Sequence, residues 1–531
     1  MQVARSSPSV DPARRSTVFG AVLLAAVFLA LAIAHRAEAS ETVYWDNLAN
    51  NSVSFSGTDS SGGGILNYAL HDSGAPEAMA YDPANGRLYV AAWNQIVWTA
   101  IDGSGSGVLE APGAEMEAID GIAIDPRTQT IYWTSFEAFT DQRLGWIGWA
   151  HLDGSGGGRL NIEGASMREP RYPVIDTADN RIYWESGIYS SFENFSWAAL
   201  DGSGGGVVPS DHGENPSEVV GGLVVDPAAG RLYWLNTKYD EVEEPVESLK
   251  WGDISGVGSG EVETSGAAFD EAFGLAFDPG RGTFYWGNIG NETASENAIG
   301  TASLAGGGGG ITPAEAPVSD PEFPVVLKSP TGTGAPQLTR DGTALSCSQG
   351  NWSGDYPGSF VYGAPRTFSY QWLLNGAPIE GATTSSYMAA AAGSYSCTVT
   401  AENYAGSGSQ TSGPATVTGA SLSTTLQTKV VKAKAGKVAK VIVGLTNTGE
   451  LASVPVRVCA ELDKKAKKGL KVPYCTEVGA IVTAGSTVAT LGIKTKHDAK
   501  GTYEFPVVVK GATGNSVTAT VKVIAAKKKH R

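Results

Sequence analysis

The sequence predicts an all-β protein, and three observations lead to that prediction. A Tyr-Trp pair recurs at a near-constant interval through the N-terminal part of the 531-residue chain. Asp-Pro and Asp-Gly-Ser-Gly turns recur at matching places between these pairs. After residue 329 the rhythm stops, but strand-like patterns continue almost to the C-terminus. Together these features predict a β-propeller followed by two β-sandwich domains.

The Tyr-Trp pair marks one strand of each repeat. The pairs are Tyr44-Trp45, Tyr132-Trp133, Tyr183-Trp184, Tyr233-Trp234 and Tyr285-Trp286, with Tyr89-Val90 in the one gap. Successive tyrosines are 45, 43, 51, 50 and 52 residues apart. Neighbouring side chains on a strand point to opposite faces, so both rings are buried only where both faces are covered. Propeller blades meet that condition, and the repeat predicts six of them over residues 40–328.

One clear repeat shows the four strands expected of a blade. They are predicted at Gly121–Asp125, Thr130–Thr134, Trp146–Leu152 and Gly158–Leu160. An Asp-Pro turn joins the first two strands, and an Asp-Gly-Ser-Gly turn joins the last two. The first repeat has no such first strand before Tyr44. We expect Phe323–Leu327 to supply it by pairing with Thr42–Trp45, which closes the ring.

These runs resemble the YWTD repeats of the low-density lipoprotein receptor group, which form six-bladed propellers. They are still more similar to a bacterial secreted version in which Tyr-Trp-x-Asn and Leu-Asp-Gly-Ser-Gly recur. The resemblance covers residues 41–312 and implies a bacterial exported propeller. The last two motif positions differ, because Thr-Asp is replaced by pairs such as Asp46-Asn47 and Glu185-Ser186.

Residues 329–419 are predicted to form an immunoglobulin-like domain. Trp372 lies 25 residues from both Cys347 and Cys397, and Tyr395 precedes the second cysteine by two residues. This spacing is typical of an inter-sheet disulfide, a tryptophan packed on it and a tyrosine corner. A free-standing disulfide loop with coincidental aromatic residues is the alternative.

Residues 420–531 are predicted to form a second immunoglobulin-like domain with a basic tail. Its strand patterns and an Asn-Thr-Gly turn resemble the adhesion-associated modules of bacterial surface proteins. Cys459 and Cys475 are expected to form a second disulfide within this domain, beside the Cys347–Cys397 bond. The two bonds would use all four cysteines of the chain.

Residues 1–39 are predicted to be a signal peptide. Arg14 and Arg15 precede an apolar run from Val18 to Ala34, and Ala37-Glu38-Ala39 offers a cleavage site. An uncleaved membrane anchor is the alternative, although 17 apolar residues are few for a bilayer span. The even cysteine count also suits an oxidising compartment. We expect a secreted protein, extracellular or associated with the cell envelope, without a transmembrane anchor after cleavage.

Charge is distributed unevenly along the chain. Residues 40–329 carry 42 acidic and 12 basic side chains, whereas residues 421–531 carry 6 acidic and 20 basic ones. The net charge of −16 argues against nucleic-acid binding by the whole chain. The lysines of the terminal domain, including Lys464, Lys465, Lys467 and Lys468, suggest binding to anionic cell-envelope polymers. A merely solvated basic face is the alternative.

Motifs of enzyme chemistry are absent from the sequence. It contains no Gly-x-Ser-x-Gly, His-Glu-x-x-His, phosphate-binding loop or Cys/His metal spacing. We therefore predict no catalytic residue, cofactor or metal. A metal-dependent hydrolase of the lactonase type remains the alternative, because such propellers collect ligands from separate blades and leave no local motif.

The loops between the second and third strands of the blades are long and varied, and they share one rim. Variable loops on a fixed scaffold commonly carry binding sites. We predict a protein or glycan site that includes Phe136, Phe139, Tyr189, Phe192, Glu193, Tyr239, Asp240 and Glu241. Acidic loops that only maintain solubility are the alternative. The expected function is non-catalytic binding or adhesion, with the sandwich domains as spacers or envelope-association modules.

Overall fold

The fold was determined from a computed structural model of the 531-residue chain. The structure describes residues 41–48, 51–59, 62–66, 68, 76–138, 143–188, 191–209, 218–239, 245–290, 297–312, 314, 316–471, 475–511 and 516–525. The predicted signal peptide lies outside these residues. The chain divides into two compact units. Unit 1 contains the described residues up to Ser329 together with Gly354–Gly363 and Tyr404–Gly408, and unit 2 contains the rest.

Unit 1 consists of small sheets formed mainly by consecutive antiparallel strands. Its strands up to residue 159 are β1 (Glu41–Asn47), β2 (Ser52–Gly57), β3 (Gly63–Leu66), β4 (Pro76–Asp82), β5 (Arg87–Ala92), β6 (Gln95–Ala100), β7 (Ser106–Val108), β8 (Ile119–Asp125), β9 (Thr130–Phe136), β10 (Gly145–His151) and β11 (Gly157–Arg159). The later ones are β12 (Arg171–Asp176), β13 (Arg181–Ile188), β14 (Ser191–Ala199), β15 (Gly205–Val207), β16 (Glu218–Asp226), β17 (Arg231–Lys238), β18 (Val246–Asp253), β19 (Ser259–Glu261), β20 (Ala272–Asp278), β21 (Thr283–Asn288), β22 (Ala298–Ser303), β23 (Gly310–Thr312) and β24 (Pro321–Lys328). Five sheets of the described chain take four consecutive strands each, beginning at β4, β8, β12, β16 and β20. In the sixth sheet, β24 precedes β1, β2 and β3.

The sheets form a closed ring. The first strand of each sheet contacts the first strand of the next, in the order β4, β8, β12, β16, β20 and β24, and β24 contacts β4 in turn. The predicted closing pair is confirmed, because Thr42 lies opposite Leu327 and Tyr44 opposite Val325. The inner edges of the first strands face the channel, where the ring protects them. This arrangement is of the propeller type.

The Tyr-Trp pairs pack between sheets, as the sequence predicted. Trp133 is fully buried in a cluster shared with the preceding sheet, which includes Tyr89 and Ile96. Tyr132 packs in a different cluster, shared with Trp184 of the following sheet. The remaining four pairs are buried as well. Each aromatic side chain buries about 150–250 Å², so these pairs supply a large part of the contact between sheets.

The Asp-Pro turns form one rim of the ring. The carboxylates of Asp82, Asp125, Asp226 and Asp278 each accept a bond of 3.0 Å from the backbone N–H two residues later. Hydrogen bonds also join neighbouring turns, because Gln129 donates to Asp82 at 3.2 Å. The Asp-Gly-Ser-Gly turns use the same device, as in the 2.9 Å bond from Ser155 N–H to Asp153. The aspartates of both turn types are therefore turn-forming residues.

Two small sheets in the first half of unit 2 share one core. The strands of this half are β25 (Gly332–Gly334), β26 (Leu338–Asp341), β27 (Ala344–Cys347), β28 (Asn351–Trp352), β31 (Thr367–Leu374), β32 (Ala377–Pro378), β33 (Ser386–Met388), β34 (Gly393–Asn403), β35 (Gly406–Thr411, of which residues 409–411 belong to this unit) and β36 (Ala415–Val417). The strands β26, β27 and β33 form one sheet, and β31, β32, β34, β35 and β36 form the other. The Cys347–Cys397 disulfide is present as predicted. It lies in the core with Trp372 and Tyr395.

The second half of unit 2 also has two sheets around one core. Its strands are β37 (Leu422–Leu426), β38 (Val430–Lys434), β39 (Val438–Asn447), β40 (Val456–Ala460), β41 (Thr476–Val478), β42 (Ser486–Lys494), β43 (Gly501–Lys510) and β44 (Val517–Ile524), with a one-turn helix α1 (Ala466–Gly469). The sheet orders are β37-β39-β42 and β38-β44-β43-β40-β41. The predicted Cys459–Cys475 disulfide is confirmed. No helix among the described residues has the length and apolar character needed to cross a bilayer.

Candidate functional site

The ring of unit 1 encloses a narrow channel with an apolar middle. Each first strand contributes two consecutive residues to a small cavity there, namely Ala78–Met79, Gly121–Ile122, Tyr172–Pro173, Gly222–Leu223, Gly274–Leu275 and Phe323–Pro324. Gly274 has a φ of +61°, and a Cβ atom there would lie 2.3 Å from the Phe323 backbone nitrogen. Glycine is required at this point because the neighbouring strands approach so closely.

A later segment of unit 1 closes the channel at the Asp-Pro rim. Its strands β29 (Asp355–Tyr356) and β30 (Val361–Tyr362) flank a buried 3-10 turn at Pro357–Ser359. The strand β30 pairs with β24, and Ser359 Oγ donates to Val225 O at 2.6 Å, one residue before the Asp226 turn. Phe360 contacts residues of several sheets and lines the cavity. We call residues 357–360 the channel plug.

Carboxylates collect at the opposite end of the channel. Glu77 and Asp120 lie at equivalent positions, each five residues before the aspartate of its Asp-Pro turn. Asp46, at the end of β1, lies opposite Glu322 of β24 in the strand register. Asp46 is fully buried and Glu322 is 9% exposed, whereas Glu77 and Asp120 are partly exposed. These four residues are called the acidic mouth.

Burial and mutual repulsion change the protonation of the acidic mouth. Burial is the main cause that raises the pKa of Asp46 to about 8, and repulsion from Glu77 adds to it. Burial also raises the pKa of Glu77 to about 7. The pKa values of Asp120 and Glu322 are raised well above their usual range, first by desolvation and then by neighbouring carboxylates. Groups that influence one another in this way lie close together.

One described arginine lies near the acidic mouth, but it forms an ion pair with an acid outside the mouth. Arg171 occupies the position equivalent to Asp120 in the next repeat. It is buried and forms an ion pair with Glu185, with a distance of 3.0 Å between Nε and Oε2. Burial raises the pKa of Glu185 to about 7, and the arginine offsets only part of that effect. The cluster therefore contains more acids than its one described arginine can balance.

Two buried polar groups at the acidic mouth lack a hydrogen-bond partner of standard geometry among the described residues. One is the carboxylate of Asp46, with both of its oxygens, and the other is the hydroxyl of Tyr68. Backbone groups of Asp46 and Glu322 lower the pKa of Asp46, but not enough to cancel the effect of burial. The pKa of Tyr68 is raised by burial and by the nearby Asp46. Buried polar atoms usually have partners, so this arrangement requires an explanation.

Within the described residues, no group of three or more His, Cys, Asp or Glu side chains has an arrangement that could hold a metal ion. The acids of the mouth are close enough to perturb one another, yet they do not converge on a common coordination point. The chemistry that these residues offer is proton uptake and the recognition of positive charge.

The structure describes only part of the loop site predicted from the sequence. Phe136 is 3% exposed and packs against Trp93, so it supports the ring rather than presenting a contact surface. Glu193 pairs with Arg168 at 2.5 Å. Tyr239 is 54% exposed. Phe139, Tyr189, Asp240 and Glu241 lie outside the described residues, as does the side chain of Phe192.

The site predicted from the sequence did not include the residues of the acidic mouth, although part of the sequence pattern that indicates them was present. Aligning the repeats on the aspartates that end their first strands, namely Asp82, Asp125 and Asp176, places Glu77, Asp120 and Arg171 in one register. Three ionisable residues at the start of a buried strand are unusual, because charged groups are rarely buried without partners. The contributions of Asp46 and Glu322 become apparent only from the pairing of β1 with β24.

Comparisons with known proteins identify no family. No protein-family model and no curated protein matches the chain. Similar solved structures include a chain of a nidogen/laminin complex, at TM-score 0.39 and 14% identity over 54% of this chain and 98% of that one. Hydrazine synthase from Kuenenia stuttgartiensis matches at TM-score 0.36 and 13% identity over 49% and 73%. A putative TolB from Agrobacterium tumefaciens matches at TM-score 0.34 and 10% identity over 54% and 98%. Similarities with TM-scores this low establish no relationship. The propeller-type assignment rests on the sheets themselves.

The stability of unit 1 is expected to fall as the pH rises from about 5 to 8. Between its unfolded and folded pKa values, a carboxyl group whose pKa is raised by folding binds more protons in the folded state than in the unfolded chain. Its contribution to the free energy of unfolding is therefore fully present below the unfolded pKa and is lost as the pH rises to the folded pKa. For Glu77 the interval runs from 4.5 to about 7, which corresponds to about 3 kcal/mol. The groups that face one another are Asp46, Tyr68, Glu77, Asp120, Glu169, Arg171, Tyr172, Glu185 and Glu322.

Urea unfolding followed by tryptophan fluorescence measures this dependence, because 11 of the 13 tryptophans precede residue 329. The Glu77→Gln variant should show a shallower decline with pH, whereas Glu261→Gln, at an exposed position on β19, should follow the parent protein. A stability of the parent protein that is constant or increases from pH 5 to 8 would contradict the expectation.

Proposed function

We propose that this chain is an exported, non-catalytic binding protein. Its scaffold is a six-bladed β-propeller, and two immunoglobulin-like domains serve as spacer or envelope-association modules. The six sheets of unit 1, with innermost strands in contact around a closed ring, support the blade count. The two disulfides suit an oxidising compartment outside the cytoplasm.

The immunoglobulin-like assignment is supported by the core of the first half of unit 2. Trp372 is fully buried beside the Cys347–Cys397 disulfide. The hydroxyl of Tyr395 donates to Ala391 O at 2.8 Å, which is the bond expected of a tyrosine corner. The second half has two sheets with alternating buried and exposed residues, as in β42, and it suits the same class.

The difference between the two ends of the channel is the observation on which the binding role depends. At the Asp-Pro rim, short turns are joined by hydrogen bonds and the plug fills the channel. The opposite end has partly exposed Glu77 and Asp120 above buried acids, and the second strands end and the third strands begin at that same end. We therefore place the protein or glycan ligand at the acidic mouth and its surrounding loops.

A metal-dependent hydrolase is the alternative function. Its chemistry requires several side chains around one ion, and no arrangement among the described carboxylates favours it. A buried acid with a raised pKa can serve a catalytic role. A cluster of such acids without a described nucleophile or metal centre is better suited to binding.

The terminal domain would contribute attachment to anionic envelope polymers. Lys464, Lys465, Lys467 and Lys468 are all exposed around α1. Backbone bonds bring a second lysine-containing segment beside them, since Lys471 N–H donates to Lys494 O at 2.8 Å. Several lysines on one surface give a positive potential that suits a polyanion without a specific pocket.

Binding of the full chain to peptide and glycan arrays tests the role of the acidic mouth. The double variant Glu77→Lys/Asp120→Lys should lose the ligands that the parent protein binds, whereas Glu261→Lys should retain them. Equal binding by all three proteins would overturn this placement of the site. Turnover of any bound glycan or peptide would contradict the non-catalytic role.

A salt series tests the proposed attachment separately. Sedimentation of the full chain with purified cell-wall polymer should be lost between 0.1 and 1 M salt, because the Debye length falls from about 10 to about 3 Å. A variant with glutamine at the four lysines around α1 should bind less at low salt. Failure of the parent protein to sediment at low salt would refute the attachment role.

A further inference from the structure

The acidic mouth has a deficit of positive charge that no described residue fills. Asp46, Glu77, Asp120 and Glu322 influence one another, and Arg171 already pairs with Glu185. Ionisation of several acids in one partly buried site is costly unless a cation is present. The four acids must therefore hold protons or be balanced by a cation from beyond the described residues.

Unused hydrogen-bond acceptors provide a second observation, independent of the number of acids. Both carboxylate oxygens of Asp46 are buried without a standard hydrogen bond to any described residue. The hydroxyl of Tyr68, which is 9% exposed, is likewise unpartnered and interacts electrostatically with Asp46. A donor that enters past the partly exposed Glu77 and Asp120 would reach acceptors for which the described residues offer only backbone N–H groups of non-standard geometry.

We infer that the acidic mouth binds a protonated primary amine, such as the side chain of a lysine presented by a protein ligand. Asp46 and Glu322 would accept hydrogen bonds from the ammonium group, with Tyr68 beside them. Glu77 and Asp120 would attract the cation at the entrance. This inference deepens the proposed function and rests on it for the placement of the ligand.

The surroundings favour an amine over a metal ion. Metal ions such as Ca²⁺ need six to eight oxygen ligands in a compact shell, and the described acids form no group that could hold a metal ion. The inner boundary of the mouth is aromatic, because Phe323 and Tyr172 pack with ring centroids 6.1 Å apart. An alkyl-ammonium group combines an apolar stem with a charged head and suits such a lining.

Binding of the amine must compete with protons. An acid whose pKa is about 7 is mostly protonated at pH 6 and mostly ionised at pH 8, so each such acid contributes about a tenfold gain in affinity over that interval. Protons should also be released from the protein when the cation binds near neutral pH. A surface site formed by ordinary carboxylates would show neither effect.

Titration calorimetry of the full chain with Nα-acetyl-lysinamide tests the inference. We expect binding at pH 8 that is at least about tenfold weaker at pH 6, with a heat that depends on the buffer because protons are released. The matched probe Nα-acetyl-norleucinamide lacks the ammonium group and should not bind. Calcium chloride serves as the metal probe and should not bind measurably at the mouth.

The variants Asp46→Asn and Glu77→Gln should each reduce lysinamide binding at pH 8, and Glu261→Gln should not. Both mouth variants remove an acid that burial disfavours, so urea unfolding should show that they remain folded. Absence of lysinamide binding by the parent protein at pH 8, equal binding by all variants, or mouth-dependent binding of calcium in its place would overturn the inference.

The proposed function and this inference can fail separately. Loss of array ligands in the Glu77→Lys/Asp120→Lys variant without any lysinamide binding would leave the binding face in place and exclude the amine. A different outcome is that lysinamide binding depends on Asp46 while the Glu77→Lys/Asp120→Lys variant still binds the array ligands. This would show that the amine site lies away from the face that recognises the larger ligand.

Discussion

Replacing Trp133 by alanine is expected to destabilise unit 1 by about 3–5 kcal/mol. The side chain is fully buried between two sheets of the ring, in one cluster with Tyr89, Ile96 and Ile131. Its Nε1 also donates to Glu115 O at 3.1 Å, in the segment between β7 and β8. The substitution leaves a cavity at an inter-sheet contact and removes this bond.

Urea unfolding followed by fluorescence of the remaining tryptophans measures the loss. Trp93→Ala is a matched control, because Trp93 is 37% exposed on the same pair of sheets; its cost should be far smaller. Comparable destabilisation by the two variants would contradict the interpretation that the Tyr-Trp pairs hold neighbouring sheets together.

The double variant Cys347→Ala/Cys397→Ala is expected to destabilise the first half of unit 2 by about 2–5 kcal/mol. The bond joins cysteines 50 residues apart and lies in the core with Trp372. Cys459 and Cys475 are only 16 residues apart. Because the entropy lost on loop closure grows slowly with loop length, removing the second bond should cost about 1 kcal/mol less.

Scanning calorimetry of the parent protein and the two double variants provides the comparison. Each variant should lower the melting temperature of its own half of unit 2. An unchanged thermogram after loss of Cys347 and Cys397 would show that this disulfide does not constrain the fold. A shift confined to the other half would show that the two bonds are not local to their domains.

Local repetition explains why much of unit 1 could be predicted from the sequence. The Tyr-Trp spacing marks a strand that is covered on both faces, and the structure buries Tyr132 and Trp133 against opposite neighbours. The missing strand beside Tyr44 likewise pointed to a later segment, and β24 occupies that place. In both cases the requirement for burial could be deduced from neighbouring residues in the sequence.

The channel plug could not be predicted in the same way. Phe360 lies between Cys347 and Cys397, within a segment that the disulfide spacing assigns to the following domain. Its position in the channel depends on the pairing of Val361 with Val326 and on the bond from Ser359 to Val225. Such long-range contacts leave no periodic signal near Phe360.

The acidic mouth is an intermediate case. The shared register of Glu77 and Asp120 is visible once the repeats are aligned, but their burial depends on closure of the ring. Asp46 stands where the YWTD repeats that the sequence resembles have threonine, so the motif alone marks it only as a departure. Its role becomes apparent because Glu322 lies opposite it on β24.

A high-resolution crystal structure of the full chain, grown at pH 8 with Nα-acetyl-lysinamide, tests the central claim most directly. That claim is a ring closed by the plug at one end and open to a cation at the other. The expected map shows the Phe360 ring inside the channel and the ammonium nitrogen about 3 Å from the carboxylate oxygens of Asp46 and Glu322. A channel open at the Asp-Pro rim, or a mouth in which the acids bond only to one another or to water, would contradict it.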